Sequence, residues 1–315
     1  MDWPEVSIIV PCKIVDDKTR ECIDCLKRLD YPKFEIILLP DNEETMAGIR
    51  CISTGPVTPG KKRNVGAANA EGSVFAYIDS DAYPSADWLK NGVKHLYEES
   101  VSIVTGPAST PQGDSRFSQA QGEVLSSPVV GGSLSARYSP NVFTREVDDA
   151  HSVNLIARRN VIEQIGGWDE KYWPGEDTIL CLKARRAGHK ILFSSDVLVY
   201  HHRRATLTGY LKQIWNYGMH RGFFAKRYPE NSRHLTYFVP SIFVIWLVIG
   251  LFISILSYYF RVLYIASLIL YFMLDVFVAL HNFRNALIVL ALIPLTHMAY
   301  GAGFIRGIIN RELNK

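Results

Sequence analysis

The chain has 315 residues, nearly half of them apolar (48%), which is enough for a large buried core. Its 34 basic and 31 acidic residues nearly balance, so it lacks the strong basic excess of a polyanion binder, and no nucleic-acid partner is expected. The five cysteines, Cys12, Cys22, Cys25, Cys51 and Cys181, are odd in number and scattered, as suits a reducing compartment rather than a disulfide framework.

No apolar segment precedes Val6, and Met1-Asp2-Trp3 brings no basic start, so the amino-terminal portion is expected to lack an export signal and to stay in the cytoplasm. From residue 6 to about 106, short β-rich runs alternate with helical stretches, the pattern of a parallel α/β sheet. Strands are expected at 6–10, 34–39 and 74–78, and each runs into proline or aspartate at its carboxyl end. Ligands of open α/β sheets bind beyond those ends, which makes Asp41, Asp79 and Asp81 candidates. Cys22 and Cys25 have the spacing of a redox or zinc pair. No second pair completes a zinc site, however, and with Leu26 and Leu29 they fall on one helical face, so they read as small core residues.

Residues 106–153 are irregular and proline-rich, and read as a substrate-side insertion. Regular pattern returns with 161–165, a turn at Gly166-Gly167, a helix through 180–187 and a strand at 190–193, and the domain closes near His201-His202. The catalytic domain is thus placed at 1–205. Residues 206–237 form a basic, aromatic juxtamembrane segment, read either as a surface-lying amphipathic helix or as an ordinary positive-inside flank. Three candidate spans follow at 238–260, 262–280 and 286–305, the second carrying one acid, Asp275, and a basic tail occupies 306–315. Arg306, Arg311 and Lys315 argue for a tail on the cytoplasmic side, whereas three full crossings put it outside. One apolar stretch is therefore expected to be re-entrant or interfacial, and Asp275 marks the second.

Asp79-Ser80-Asp81 follows a five-residue apolar strand, where the turn brings two carboxylates near one cation. Close carboxylates repel without such a cation, and hard oxygen ligands favour Mg²⁺ or Mn²⁺. Glu176-Asp177 starts a helix. That placement serves an N-terminal capping acid and a general base equally.

The ordered motifs Ser7-Ile8-Ile9-Val10-Pro11, Leu39-Pro40-Asp41, Lys62-Arg63-Asn64, Asp79-Ser80-Asp81, Gly166-Gly167-Trp168-Asp169 and Gly175-Glu176-Asp177 resemble the family 2 inverting glycosyltransferases of GT-A fold. The branch that resembles this chain has membrane spans after the catalytic domain and acts in surface-polysaccharide assembly. The resemblance implies an α/β, Rossmann-like nucleotide-sugar domain followed by transmembrane helices. Its donor would be a nucleotide-sugar, usually a UDP-sugar, and its acceptor a glycan or lipid-linked sugar at the membrane. On its terms Pro11 and Asp41 hold the base, and Arg63 with Lys61 or Lys62 approaches the diphosphate. Asp79 contacts the ribose and sugar side, and Asp81 is the principal metal ligand, with His201 or His202 as a further one. Asp177 is the catalytic base, oriented by Glu176. The pattern departs from the family at Pro40-Asp41-Asn42-Glu43, where two aspartates before Gly-Ser are common, and at Cys12-Lys13. Gln213-Ile214-Trp215-Asn216-Tyr217 lacks the arginine of processive synthases, which favours single-sugar transfer. The rivals are a polyprenyl-phosphate sugar synthase, disfavoured by Gly175-Glu176-Asp177, and a non-catalytic membrane protein that keeps the fold.

Overall fold

Val6–Pro11 is buried at every position, and such a strand, apolar on both faces, belongs in the middle of a helix-covered parallel sheet. The computed structural model, which describes residues 2–313, puts it there as β1. The remaining strands are β2 (Phe34–Leu39), β3 (Arg50–Cys51), β4 (Val74–Ile78), β5 (Ala82–Pro84), β6 (Val101–Thr105), β7 (Ala108–Ser109), β8 (Arg145–Val147), β9 (Asn154–Arg158), β10 (Lys190–Phe193) and β11 (Val199–His201). Eight of them form one sheet in the order β3-β2-β1-β4-β9-β6-β10-β8, and β5-β11-β7 form a small second sheet.

The large sheet is mixed: its strands within 6–106 run parallel as expected, and the antiparallel strands come later in the chain. β1 pairs in parallel with β2 and β4, but β9 lies between β4 and β6 antiparallel to both. Because Ile78 pairs with Asn154, β9 begins where β4 ends. The residues just before β9 therefore enter the same crevice as those just after β4.

The helices flanking the sheet carry legible local signals. Helix Pro59–Ala68 starts with proline in its first turn, and the Thr58 side chain accepts from the Lys61 backbone N–H. Its Gly66 has no room for a β-carbon, which would lie 2.6 Å from Ile9 and 2.9 Å from Leu39, so the helix sits directly on β1 and β2. Cys22 and Cys25 lie on helix Asp17–Leu26, Cys22 wholly buried in the core cluster beside Leu26.

The chain divides into two units. One comprises residues up to Pro111 with Ala136–His202, and the other comprises Gln112–Ser135 with everything from Arg203 onward. The stretch read as a single insertion over 106–153 is thus split, and its helix Arg116–Ser126 belongs to the second unit. That unit also holds helix Leu207–Arg227 and three helices long and apolar enough to cross a membrane, Leu235–Leu256, Tyr258–His281 and Phe283–Ile309 with its 3-10 start. Leu207–Arg227 packs along Ala286–Ile309 through glycines spaced four apart on both helices, Gly218 and Gly222 against Gly303 and Gly307. A β-carbon on Gly222 would lie 2.1 Å from the Phe304 carbonyl oxygen, and one on Gly307 would lie 2.0 Å from that of Met219. Small residues at this spacing let two helix backbones approach closely.

Gly222→Leu should accordingly force the pair apart at a cost of about 1–3 kcal/mol or more. A lowered melting temperature of the detergent-solubilised protein is the expected reading, while Gly113→Ala, whose β-carbon meets nothing within 4 Å, should melt like the parent.

Candidate active site

The crevice beyond β1, β2 and β4 is built around Arg63, whose side chain is 2% exposed. One guanidinium nitrogen donates to Glu176 Oε1 at 2.8 Å, and the other donates to Asp79 Oδ1 at 2.6 Å and Ser152 Oγ at 3.0 Å. The guanidinium also stacks over the Trp168 ring, 4.7 Å from its centroid. A buried cation is tolerable only with such partners, because desolvation without them is severe. Arg63 was expected to face a diphosphate, but here both terminal nitrogens are engaged inside the protein.

Lys62 behaves similarly. Its Nζ donates to Leu39 O at 3.0 Å and Thr54 Oγ1 at 2.6 Å, and pairs with Asp41 at 2.7 Å. The ammonium thus fastens the end of β2 to helix Pro59–Ala68, and Asp41 presents a carboxylate already held by a buried lysine. Pro11, at the end of β1, pairs with Leu39. Lys61 lies on the exposed side, 3.9 Å from Glu170.

Gly166-Gly167-Trp168-Asp169 secures this arrangement. Gly167 has φ +66°, and a β-carbon there would lie 2.6 Å from Asn64 Oδ1, which accepts from the Trp168 N–H at 2.8 Å. Asn64 Nδ2 donates to the Trp168 carbonyl at 2.9 Å, so one side chain clamps the turn on both sides. Trp168 then lies buried against Tyr77, centroids 4.9 Å apart, under Arg63.

Glu176 and Asp177 begin helix Glu176–Arg186 after Gly175, which has φ +112°. Glu176 points inward to Arg63 and is buried. Burial pushes its carboxyl up to about 7, with Asp177 adding to the rise and Arg63 opposing it. Asp177 remains half-buried, and its Oδ1 accepts from the Thr178 N–H at 2.7 Å. Of the two acids, one is fixed in the interior and the other is half-buried at the helix start.

Asp79 and Asp81 have different partners. Asp79 is committed to Arg63, whereas Asp81 Oδ1 lies 3.1 Å from His201 Nε2. The small sheet explains the contact: β5 pairs antiparallel with β11, which sets His201 opposite Ala82 and beside Asp81. His202 turns away, its ring bonded to Glu21 at 2.9 Å while its backbone N–H donates to the Asp81 carbonyl at 3.0 Å. Carboxylate and imidazole 3.1 Å apart fit neighbouring corners of an octahedron, where bonds of ~2.1 Å place adjacent donors roughly 3.0 Å apart. Among the described residues no cluster of three or more histidine, cysteine or acidic side chains with metal-binding geometry occurs, so a cation here would take its other ligands from phosphate or water.

Sequence reasoning missed Ser152, Asn154 and Asp149. Asn154 donates to the Pro107 and Val197 carbonyls and accepts from Trp88 Nε1. Asp149 pairs with Arg137 at 3.0 Å and accepts from Thr178 at 3.3 Å. The signal was the polar run Asp148-Asp149-Ala150-His151-Ser152 entering the apolar run Leu155-Ile156-Ala157. It points into the crevice only if the strand is antiparallel.

With this geometry described, comparison with known proteins gives its family. Residues 4–216 match the family described as "Glycosyltransferase like family 2". The chain is 28% identical over 177 residues to a pre-mycofactocin glycosyltransferase of Mycobacterium tuberculosis, covering 56% of this chain and 37% of that relative. It is 22% identical over 328 residues to a dolichyl N-acetyl-α-D-glucosaminyl phosphate 3-β-D-2,3-diacetamido-2,3-dideoxy-β-D-glucuronosyltransferase of Methanococcus voltae. That match covers 96% of this chain and 97% of the relative, apolar helices included. Among solved structures, a Pyrobaculum calidifontis mannosyltransferase determined with GDP-Man and Mn²⁺ shares the fold, with TM-score 0.54 and 19% identity over 73% of this chain and 65% of that one. The fold is α/β and of the GT-A type. The chain belongs to the glycosyltransferase-like family 2.

Two outcomes follow from the buried ion cluster. Arg63→Met leaves Glu176 without its cation and should cost about 3–5 kcal/mol, partly restored by Glu176→Gln in the same chain; a double-mutant cycle of melting temperatures measures it. Because the Glu176 carboxyl is raised, the folded state holds a proton that the unfolded chain releases. Its contribution therefore favours folding progressively as pH falls from about 7 toward 4.5 and is lost above 7. Glu176→Gln should remove that component from melting temperature measured against pH.

Proposed function

We propose that this protein transfers a sugar, with inversion, from a nucleotide-diphosphate sugar to a hydroxyl of a membrane-associated, lipid-linked acceptor. The observation that carries this reading is the division at Glu176-Asp177: one acid buried against Arg63, its neighbour part-exposed in the first turn of the same helix. Asp177 takes the proton from the acceptor hydroxyl, which attacks the anomeric carbon opposite the leaving diphosphate. Arg63 holds Asp79 and Glu176 in place from within the crevice rather than by touching the phosphates. Pro11 and Asp41, at the ends of β1 and β2, lie where an α/β sheet receives a nucleotide base, and UDP is the donor nucleotide favoured by an acid at that position. Asp81 and His201 are the residues that would hold Mg²⁺ or Mn²⁺, which when bound supplies charge neutralisation to the departing diphosphate. The Mn²⁺ named with the Pyrobaculum mannosyltransferase supports a metal in this site.

The acceptor reading draws on the Methanococcus relative, whose name describes transfer to a dolichyl-linked N-acetylglucosaminyl phosphate. A sugar hydroxyl needs deprotonation, whereas a lipid phosphate does not, and Asp177 supplies the base that the first case requires. Three apolar helices following the transferase unit suit an acceptor delivered from lipid, with that unit on the cytoplasmic face of a cell membrane.

In Asp177→Asn, donor affinity and melting temperature should persist, since asparagine keeps the Oδ1 that accepts from the Thr178 N–H, while turnover falls by ~10²–10⁴. Nucleotide release with lipid-linked acceptor, run beside UDP calorimetry, checks both, and near-parental turnover would remove Asp177 as the base. Asp81→Ala should abolish the Mn²⁺-dependent part of UDP binding; unchanged affinity in the same titration would sink the metal assignment.

A further inference from the structure

We propose that only Leu235–Leu256 and Tyr258–His281 cross the bilayer, as a hairpin, and that Ala286–Ile309 does not cross but lies at the membrane surface on the side where the chain enters this unit. The sequence alone pointed to the second apolar stretch as the odd one, because of Asp275. The packing points to the third.

The entry side is fixed by helix Arg116–Ser126. Gln121 Nε2 donates to the Arg204 carbonyl at 2.7 Å, at the start of the second half of this unit. Two residues on, Glu123 Oε1 accepts from Asn285 Nδ2 at 2.8 Å, in the turn between the second and third apolar helices. The chain has therefore returned to its entry side after the second helix, and the third begins there.

The third helix also ends there. Phe304, near its end, packs on Phe238 at the start of the first apolar helix, centroids 4.8 Å apart, and Ser241 donates to the Gly301 carbonyl at 3.3 Å. The Ile308 carbonyl accepts from Lys226 Nζ at 2.9 Å, nine residues before that first helix begins. From the Tyr210–Thr296 hydrogen bond at 2.8 Å to the Lys226 contact, Ala286–Ile309 runs parallel to Leu207–Arg227. Leu207–Arg227 exposes Lys212, Lys226 and Arg227, and a crossing third helix would draw these charges into hydrocarbon, which is costly.

Surface exposure agrees. Leu235–Leu256 exposes eleven large hydrophobic side chains and Tyr258–His281 twelve, as lipid-facing helices do, but Ala286–Ile309 exposes four. At the hairpin's far end, Tyr258 and Tyr259 are exposed and Arg261 donates to the Ser254 carbonyl, an interfacial arrangement of aromatic and basic groups. Trp215 and Tyr217, exposed on Leu207–Arg227, provide the matching aromatics on the entry side. Two crossings also leave Arg306 and Arg311 on the entry side, which resolves the charge conflict of a three-span reading.

The test uses the full chain in sealed membranes, with one reporter cysteine at a time at Ala205, Tyr259 or Glu312 and a membrane-impermeant maleimide added to either face, above the labelling of the parent's own cysteines. Ala205→Cys and Glu312→Cys should react from one face and Tyr259→Cys from the other. Glu312→Cys sharing the face of Tyr259→Cys would mean that the third helix crosses and would overturn the proposal. Tyr259→Cys sharing the face of Ala205→Cys would overturn the hairpin. An epitope appended after Lys315, probed by protease on each face, gives the same discrimination with no substitution in the fold.

Discussion

A guanidinium in the protein interior ties together four segments that are far apart in sequence. Arg63 rises from helix Pro59–Ala68 and reaches Asp79 after β4, Ser152 before β9 and Glu176 at the start of helix Glu176–Arg186. The Trp168 ring closes its remaining face. A charge buried alone would be costly, and here both terminal guanidinium nitrogens find carboxylate partners. The motifs around the crevice are therefore one electrostatic unit rather than independent ligands, and the loop conformations at Gly167 and Gly175 exist to deliver Trp168 and Glu176 to it.

That unit also separates the roles of chemically similar residues. Two adjacent acids share a helix start, yet one lies against a buried arginine and the other accepts from the Thr178 N–H in the helix's first turn. Two aspartates share a strand end, yet one belongs to the arginine and the other to a histidine from the second sheet. Pairing Asp79 with Arg63 leaves Asp81 as the carboxylate whose partner comes from a different element.

Much of this was legible in the sequence. β1, β2 and β4 announce themselves as apolar runs ending in proline or aspartate, and the helix starts at Thr58-Pro59 and Gly175-Glu176 carry their own local signals. What could not be read depends on register or on distant partners. Whether His201 or His202 joins Asp81 is decided by how β11 aligns with β5. The burial of Arg63 depends on a carboxylate 113 residues later, so a basic motif that looks solvent-facing is interior. The direction of β9 is invisible in a five-residue run, and with it the contribution of Ser152 and Asn154. Hydropathy likewise marks three stretches as apolar enough to cross, and packing shows that the third buries more of its surface against other helices.

The glycine-lined pairing of Leu207–Arg227 with Ala286–Ile309 has a consequence for synthesis. The two halves of the seam are distant in sequence: Lys226 meets the Ile308 carbonyl 82 residues further on. At ~5–20 residues per second a ribosome needs roughly 4–16 s to bridge that gap. Throughout it, the bare glycine face of Leu207–Arg227 has no partner while the intervening apolar helices emerge. The nascent chain thus carries an uncovered helix groove until both intervening apolar helices have emerged, and the seam closes only after them.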